Sequence, residues 1–211
     1  LRALIQSMLS GTWVSVEIFF LTLVFSIPLA VFFCMARMSK FYPLKKFAQL
    51  FLLVLRGTPL MLQLICVYFM PGLLWGWSFD RFTAAIIALA VNYAAYFAEI
   101  YRGGFESVPQ GQREAAKVLG YTKTQTFFHI IVPQVIKRIT PAMGNEVITL
   151  VKDTALVTVI GVVELLHVAK SASNRVFSTV PLFVAGAFYL VMNGLVTFAF
   201  SRIEKKLSYY K

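Results

Sequence analysis

The sequence predicts an all-α membrane protein, a single domain over residues 1–211 whose chain crosses the bilayer five times. Two observations carry this expectation. Of 211 residues, 59% are hydrophobic and 14% charged, with a mean hydropathy of +0.75. Soluble domains carry about a quarter charged residues, so the surplus apolar surface must face lipid. The apolar residues also fall into long runs, with Lys and Arg gathered between them. A net charge of +11 arranged in this way follows the positive-inside rule and predicts no nucleic-acid partner. The cysteines, Cys34 and Cys66, each sit inside an apolar run and are expected to be small buried hydrophobes.

The first span is placed at about 12–35. No small-residue cleavage site follows it, and it is too long for a signal-peptide core, so it is read as a membrane helix. The second, 47–69, is interrupted by Arg56-Gly57-Thr58-Pro59. An aromatic turn over 71–79 carries Trp75 and Trp77, which suit the interfacial belt. The third span covers 81–101. Residues 102–138 then turn polar, with Gly and Pro at both ends. Such a stretch is too long for a structureless loop. Within it, residues 112–119, closed by Gly120, form a short amphipathic helix outside the membrane. The region 139–168 holds Pro141, Asn145, Glu146, Lys152 and Asp153, and is read as a fourth span over 139–160 plus a short extra helix, with a break near Gly161. The fifth span is 182–200.

Five spans put the termini on opposite sides. With the amino terminus outside, the cytoplasmic side receives Arg37, Lys40, Lys45 and Lys46. It also receives Arg102, Arg113, Lys117, Lys123, Lys137 and Arg138, and the tail residues Arg202, Lys205, Lys206 and Lys211. The outer side holds only Arg2, Arg81, Lys170 and Arg175. The opposite orientation would invert this bias. The chain contains no G-x-x-x-x-G-K-[ST] loop, no H-E-x-x-H and no C-x-x-C, so neither ATP hydrolysis nor metal-dependent catalysis is expected of it. Five helices are few to line a solute path, which implies a second membrane subunit, most simply a copy of this chain.

Glu114-Ala115-Ala116, Gly120 four residues on, then Phe128, Ile131 and Pro133-Gln134 resemble the EAA loop of the membrane subunits of ATP-binding-cassette (ABC) importers. Residues 92–104 and 106–112, Arg56-Gly57-Thr58-Pro59 with Gln63, and 152–156 resemble the polar amino-acid branch of that family over about 12–204. The resemblance implies the type I permease fold and a bacterial inner-membrane location. It implies a paired membrane core, two ATP-binding subunits that hold ATP and Mg, and an extracytoplasmic amino-acid-binding protein. The segment 106–134 would form the coupling helix, with Glu114, Ala115, Ala116 and Gly120 at the ATPase and Phe127 and Phe128 bracing it.

Charged groups at membrane depth are costly and usually functional. Asn92, Tyr96, Glu99 and Gly103 recur at helical spacing on one face of the third span, and Glu146, Thr149 and Asp153 do so on the fourth. If the fourth span enters lipid near Pro141, Asp153 lies about 18 Å further in. These acids suit a cationic side chain or an α-ammonium group, and Arg102 an α-carboxylate. Arginine, lysine or histidine is therefore the expected cargo. Other roles are open for the same residues. Glu99 and Arg102 can pair with each other, Lys152 can neutralise a neighbouring acid, and Arg56 can brace a kink through freed carbonyls. Glu17 and Glu164 are weaker candidates, placed near segment ends where a charge reaches water. An ion-coupled carrier fits the membrane-depth acids but leaves the long polar segment unexplained, and the polar stripe through the spans argues against a membrane anchor or assembly subunit without a pathway.

Overall fold

A helix of 37 residues, α1 (Arg2–Met38), begins the chain in the computed structural model, which describes residues 2–207. The side chain of Arg2, and Lys211 of the basic tail, lie outside the described residues. At 1.5 Å per residue α1 is about 55 Å long, well beyond the ~30 Å hydrocarbon core. It starts ten residues before the expected first span because its early turns have protein to pack on. Met8 is fully buried, and a Cβ on Gly11 would lie 3.0 Å from the Leu165 backbone.

The expected second span is not one rod. It is two helices, α2 (Tyr42–Gly57) and α3 (Leu60–Trp75), bent by 108° at their junction. The cause is local. Pro59 cannot continue the α2 hydrogen-bond ladder, and a residue before proline is pushed into extended backbone. Thr58 adopts φ −114°, ψ 147°. α3 ends at Gly76, which takes a left-handed φ of +72°.

α4 (Arg81–Glu106) is capped by Asp80, whose carboxylate accepts from the Thr83 amide at 2.9 Å. Hydrogen bonds from the Thr83 hydroxyl and amide hold the Asp80 carboxyl below its usual pKa range. α4 is the centre of the fold. Ala84, Ala85, Ala88, Ala94, Ala95 and Ala98 are all buried, and these small side chains let α1 pack along it. It runs five residues past the expected limit at 101, as far as Glu106.

The polar segment contains α5 (Gln110–Val118), which buries Ala116 and exposes most of its other residues. Gly120, at φ +78°, turns the chain. Thr122 and Gln125 form a reciprocal capping box that starts α6 (Lys123–Gln125). A π-helical stretch, Thr126–Ile131, carries the chain without a stop into α7 (Val132–Asp153). The expected start of this element at 139 is therefore too late. α7 also passes through Pro141 rather than beginning there, and the Thr140 hydroxyl takes up the Ile136 carbonyl at 2.6 Å. A 3-10 segment, Thr154–Ile160, follows and ends at Gly161, φ +80°. Arg81 donates to the Gly161 carbonyl at 3.3 Å. α8 (Leu165–Val176) is the expected short extra helix, and α9 (Val180–Leu207) closes the described chain.

By length and composition α1, α4 and α9 can each cross a membrane, and α2 with α3 can do so as a bent pair. α7 is about 33 Å long, but Lys137, Arg138, Glu146, Lys152 and Asp153 make it too polar to stand in lipid alone. It is instead sheltered by α4 and α9. At Gly104 the approach of α4 to α7 is so close that a Cβ would sit 2.3 Å from Ile139 Cγ2 and 3.0 Å from Val135 Cγ1. Gly104→Ala is expected to cost about 1–3 kcal/mol by overpacking, measured by denaturant titration of the purified chain. Adding Ile139→Ala should recover part of that loss, and a strictly additive double mutant would refute the contact.

Candidate functional site

The break between α2 and α3 leaves backbone carbonyls without helical partners, and side chains satisfy them. The Thr58 hydroxyl donates to the Val54 carbonyl at 2.8 Å. The Gln63 amide donates to the Leu55 carbonyl at 2.7 Å and to Thr58 Oγ1 at 2.8 Å. From α4, buried Asn92 donates to the Leu55 carbonyl at 3.2 Å and to Gln63 Oε1 at 2.9 Å. Arg56 does not brace the kink through freed carbonyls, as one reading of the sequence had it. Its guanidinium instead lies 5.4 Å from the centre of the Tyr96 ring and 3.9 Å from Glu99.

The Asn92–Tyr96–Glu99 stripe of α4 thus faces the break along its length. Glu99 is its charged end. Its side chain is 15% exposed and meets Arg102 at 2.8 Å, Arg37 at 3.4 Å and Arg56 at 3.9 Å. Arg102 is in turn held by Glu106 at 2.5 Å. The Glu99–Arg102 pairing is realised within a wider network that ties the end of α1, the helix break and the end of α4. Gly103, the last member of the stripe, is exposed.

The second stripe has a different electrostatic character. Asp153, the last residue of α7, accepts from the Tyr93 hydroxyl at 2.7 Å. Glu146 and Thr149 lie on the same face, half-buried, with the Thr149 hydroxyl on the Asn145 carbonyl at 3.0 Å. Among the described residues neither Glu146 nor Asp153 has a cation within 4 Å. The two stripes are joined through α4, where the Tyr93 and Tyr96 rings are 6.5 Å apart.

Glu164 does not sit where its charge reaches water. It is fully buried and caps α8, accepting from the Leu166 and His167 amides at 2.7 Å and from Tyr189 at 2.8 Å. That is a structural role. Glu17 is exposed on α1. In the polar segment Glu114 accepts from Gln110 at 2.9 Å, and Ala115 and Gly120 are exposed. Phe127 stacks on Phe105 at 5.9 Å and Phe128 meets Phe127 edge-on at 5.0 Å, so the pair braces this segment against α4. The described residues hold no group of three His, Cys, Asp or Glu able to bind a metal.

The family of binding-protein-dependent transport system inner membrane components matches residues 26–209. This chain belongs to that family. Among curated relatives, the arginine transport system permease protein ArtQ of Bacillus subtilis (strain 168) is 37% identical over 96% of this chain and 93% of its own length. The octopine transport system permease protein OccM of Rhizobium radiobacter is 34% identical over 94% and 84%. A putative glutamine transport system permease protein, GlnP of Rickettsia bellii (strain RML369-C), is 33% identical over 93% and 91%. A crystal structure of an amino acid ABC transporter with histidines superposes with a TM-score of 0.88 at 35% identity, covering 95% of this chain and 94% of that one. The MetNI methionine transporter, at 19% identity and a TM-score of 0.79, shares the fold.

For this inner-membrane component, sequence reasoning overlooked Tyr93 and Arg37. Tyr93 lies one residue off the α4 stripe, so helical spacing did not include it. Arg37 looked like a loop charge at the end of the first span. The available signal was the R-G-T-P break itself, because half-helices in membrane proteins mark the site that their freed backbone lines. Removing a donor from the break should be costly. Asn92→Leu and Gln63→Leu are each expected to destabilise the permease by about 0.5–1.5 kcal/mol, the loss of one donor from a carbonyl that the other still satisfies. The double variant should lose more than the sum, since each amide still serves the Leu55 carbonyl alone. Denaturant titration checks this, and unchanged midpoints would show that the break is held by other means.

Proposed function

We propose that this chain, paired with a second membrane subunit, forms the pathway through which a bacterium takes up an amino acid with a cationic side chain. The observation that carries the assignment is the pair Glu146 and Asp153. They stand two turns apart on one helix face with no ion-pair partner among the described residues, whereas Glu99 is surrounded by arginine. A guanidinium or ammonium group would complete this uncompensated pair, with Thr149 beside it and Asn92 and Tyr96 on the facing stripe. Arg102 could hold an α-carboxylate only after releasing Glu99 or Glu106, so carboxylate capture would be tied to opening of that network. Relatives named for arginine and octopine support this cargo.

In this reading the five spans are α1, the bent α2–α3 pair, α4, α7 and α9. The amino terminus is outside and the carboxyl terminus cytoplasmic. Family membership supports an extracytoplasmic binding protein that delivers the solute and two ATP-binding subunits that hold ATP and Mg. α5 is the coupling helix, with Glu114 and Ala115 presented to the ATPase, Ala116 buried beneath them as its seat on the helical body, and Gly120 turning the chain back. The simplest partner in the membrane is a second copy. Rigid-body switching of the paired cores would alternate the cavity between the two sides.

A second reading, uptake of glutamine, is favoured by the Gln63–Asn92 amide pair at the break and by the Rickettsia relative. Proteoliposomes containing this chain, its ATPase and its binding protein separate the two. ATP-dependent uptake of labelled arginine, blocked by excess histidine but not by glutamate, is the expected outcome. Asp153→Asn should abolish it while the subunits still co-purify. Uptake of glutamine in preference would keep the importer and remove Glu146 and Asp153 as cation partners. Arginine uptake indifferent to ATP would point to an ion-coupled carrier.

A further inference from the structure

A second built feature lies away from the polar stripes, at the end of the molecule where α1 stops. A cavity of about 620 Å³ separates the last turns of α1 from the first turns of α7. Val31, Cys34 and Met38 line one side, Val135 and Ile139 the other, and Phe105 of α4 lies between. Its wall is largely apolar, with Tyr101 of α4 and Arg113 of α5 as its polar members. From Val31 to Met38 the slot runs about 10 Å along the helix axis.

This slot does not end blindly. A neighbouring cavity of about 500 Å³ shares Met38, Phe105 and Arg113 with it and adds Glu106, Glu114 and Lys117. The two make one groove, apolar within the helices and charged at its mouth. The charges at the mouth are unequally engaged. Glu106 is paired with Arg102, and the Glu114 carboxylate, which accepts from the neutral Gln110 amide, offsets one of the two cations on α5. Arg113 and Lys117, one turn apart on α5, form no ion pair among the described residues. The mouth therefore offers cations to an anion, at the depth where α1 leaves the apolar layer and Arg37 and Lys40 begin the basic edge.

An occupant must pair an apolar tail with an acidic head and reach the groove from the membrane. We infer that this groove seats one anionic phospholipid of the cytoplasmic leaflet, with an acyl chain between α1 and α7 and its phosphate on Arg113 and Lys117. Basic pockets between membrane helices on that side suit such head groups. The leaflet rests on the orientation proposed above, whereas the seat itself rests on the groove. The consequence is mechanical. α5 is joined to the helical body by few contacts, chiefly buried Ala116 and a 3.4 Å hydrogen bond from Gln134 to Gln112. A lipid held at both ends of the groove would tie α5 to α1.

The test uses the assembled transporter of permease, ATPase and binding protein. It is extracted from membranes of phosphatidylcholine with phosphatidylglycerol and weighed intact by native mass spectrometry. One phosphatidylglycerol per permease chain is expected to survive, in preference to phosphatidylcholine. Arg113→Gln and Lys117→Gln should each weaken its retention about fivefold, the effect of one surface cation on an anionic lipid. Ile136→Trp, which fills the slot and leaves both cations in place, should also expel it. Equal retention of the two lipids, or retention untouched by all three variants, would overturn the seat. Loss of the ATPase from Arg113→Gln with lipid still bound would assign that cation to the ATPase instead. Membrane-impermeant labelling of Val118→Cys in a Cys66→Ser background, in sealed right-side-out vesicles, checks the leaflet separately. Labelling only after permeabilisation is expected, and labelling from outside would overturn the cytoplasmic assignment while leaving the lipid count as it stands.

Discussion

Within a bilayer no water is available to accept or donate a hydrogen bond, so an interrupted helix survives only if protein side chains take over its backbone. The junction at Thr58–Pro59 is where this constraint is met, and much of the remaining architecture follows from it. Proline forces the interruption. Thr58, Gln63 and Asn92 then supply the donors that the ladder has lost. Asn92 can serve only because α4 lies close enough to reach the Leu55 carbonyl, and α4 lies that close because its buried face is largely alanine. The bend, the alanine-rich central helix and the polar stripe along it are thus one solution to one problem. The stripe is the face of α4 that the break requires to be polar.

The acids at membrane depth divide into two kinds, and the division rests on partners rather than burial. Glu99 is neutralised from three elements, which makes it a knot between α1, the break and α4. Removing one arginine would leave two, so the knot is redundant, as suits a structural tie. Glu146 and Asp153 have no such redundancy. Asp153 is oriented by a neutral hydroxyl, which fixes its position without cancelling its charge. A carboxylate positioned but not compensated is a sound arrangement for recognising a cation that arrives and leaves, because a resident arginine would compete with it.

The helical class, the break at residues 56–59, the short helix closed by Gly120 and the interruption at Gly161 were all legible in the sequence, because each is set by local chemistry: proline, glycine and apolar run length. The limits of the elements were less so. Hydropathy located where lipid is tolerated, whereas α1 and α7 continue for as long as protein covers them. Met8 and Gly11 extend α1 against α8, and the π-helical stretch joins α7 to α6 with no stop signal to mark the join. Helical spacing grouped the two stripes as faces of α4 and α7. It could not reveal that Glu99 would meet Arg37, more than sixty residues away in the chain, nor that Glu164 would turn inward as a cap. Those outcomes depend on which faces the packing brings together.

That same continuity bears on how a motion at α5 could reach the acids. From the capping box at Thr122 to Asp153 the chain is one helical run of about 45 Å, with Asp153 at its far end. Two glycine contacts seat it: Gly104 of α4 beneath Ile139, and Gly144 beneath Phe200 of α9, where a Cβ would come within 2.9 Å of the ring. With no side chain at either point, the run is held closely but not interlocked, so it can rotate where it cannot easily separate. The run also passes through Pro141, but its π-helical stretch at Thr126–Ile131 lies at the α5 end, where a wider turn can absorb a change in angle. A tilt imposed on α5 in the proposed cycle would therefore enter through the softest part of the run and be carried along the stiffest. It would emerge at Asp153, the carboxylate that accepts from Tyr93. The position of Asp153, rather than its protonation or its exposure, is then the quantity on which the input acts.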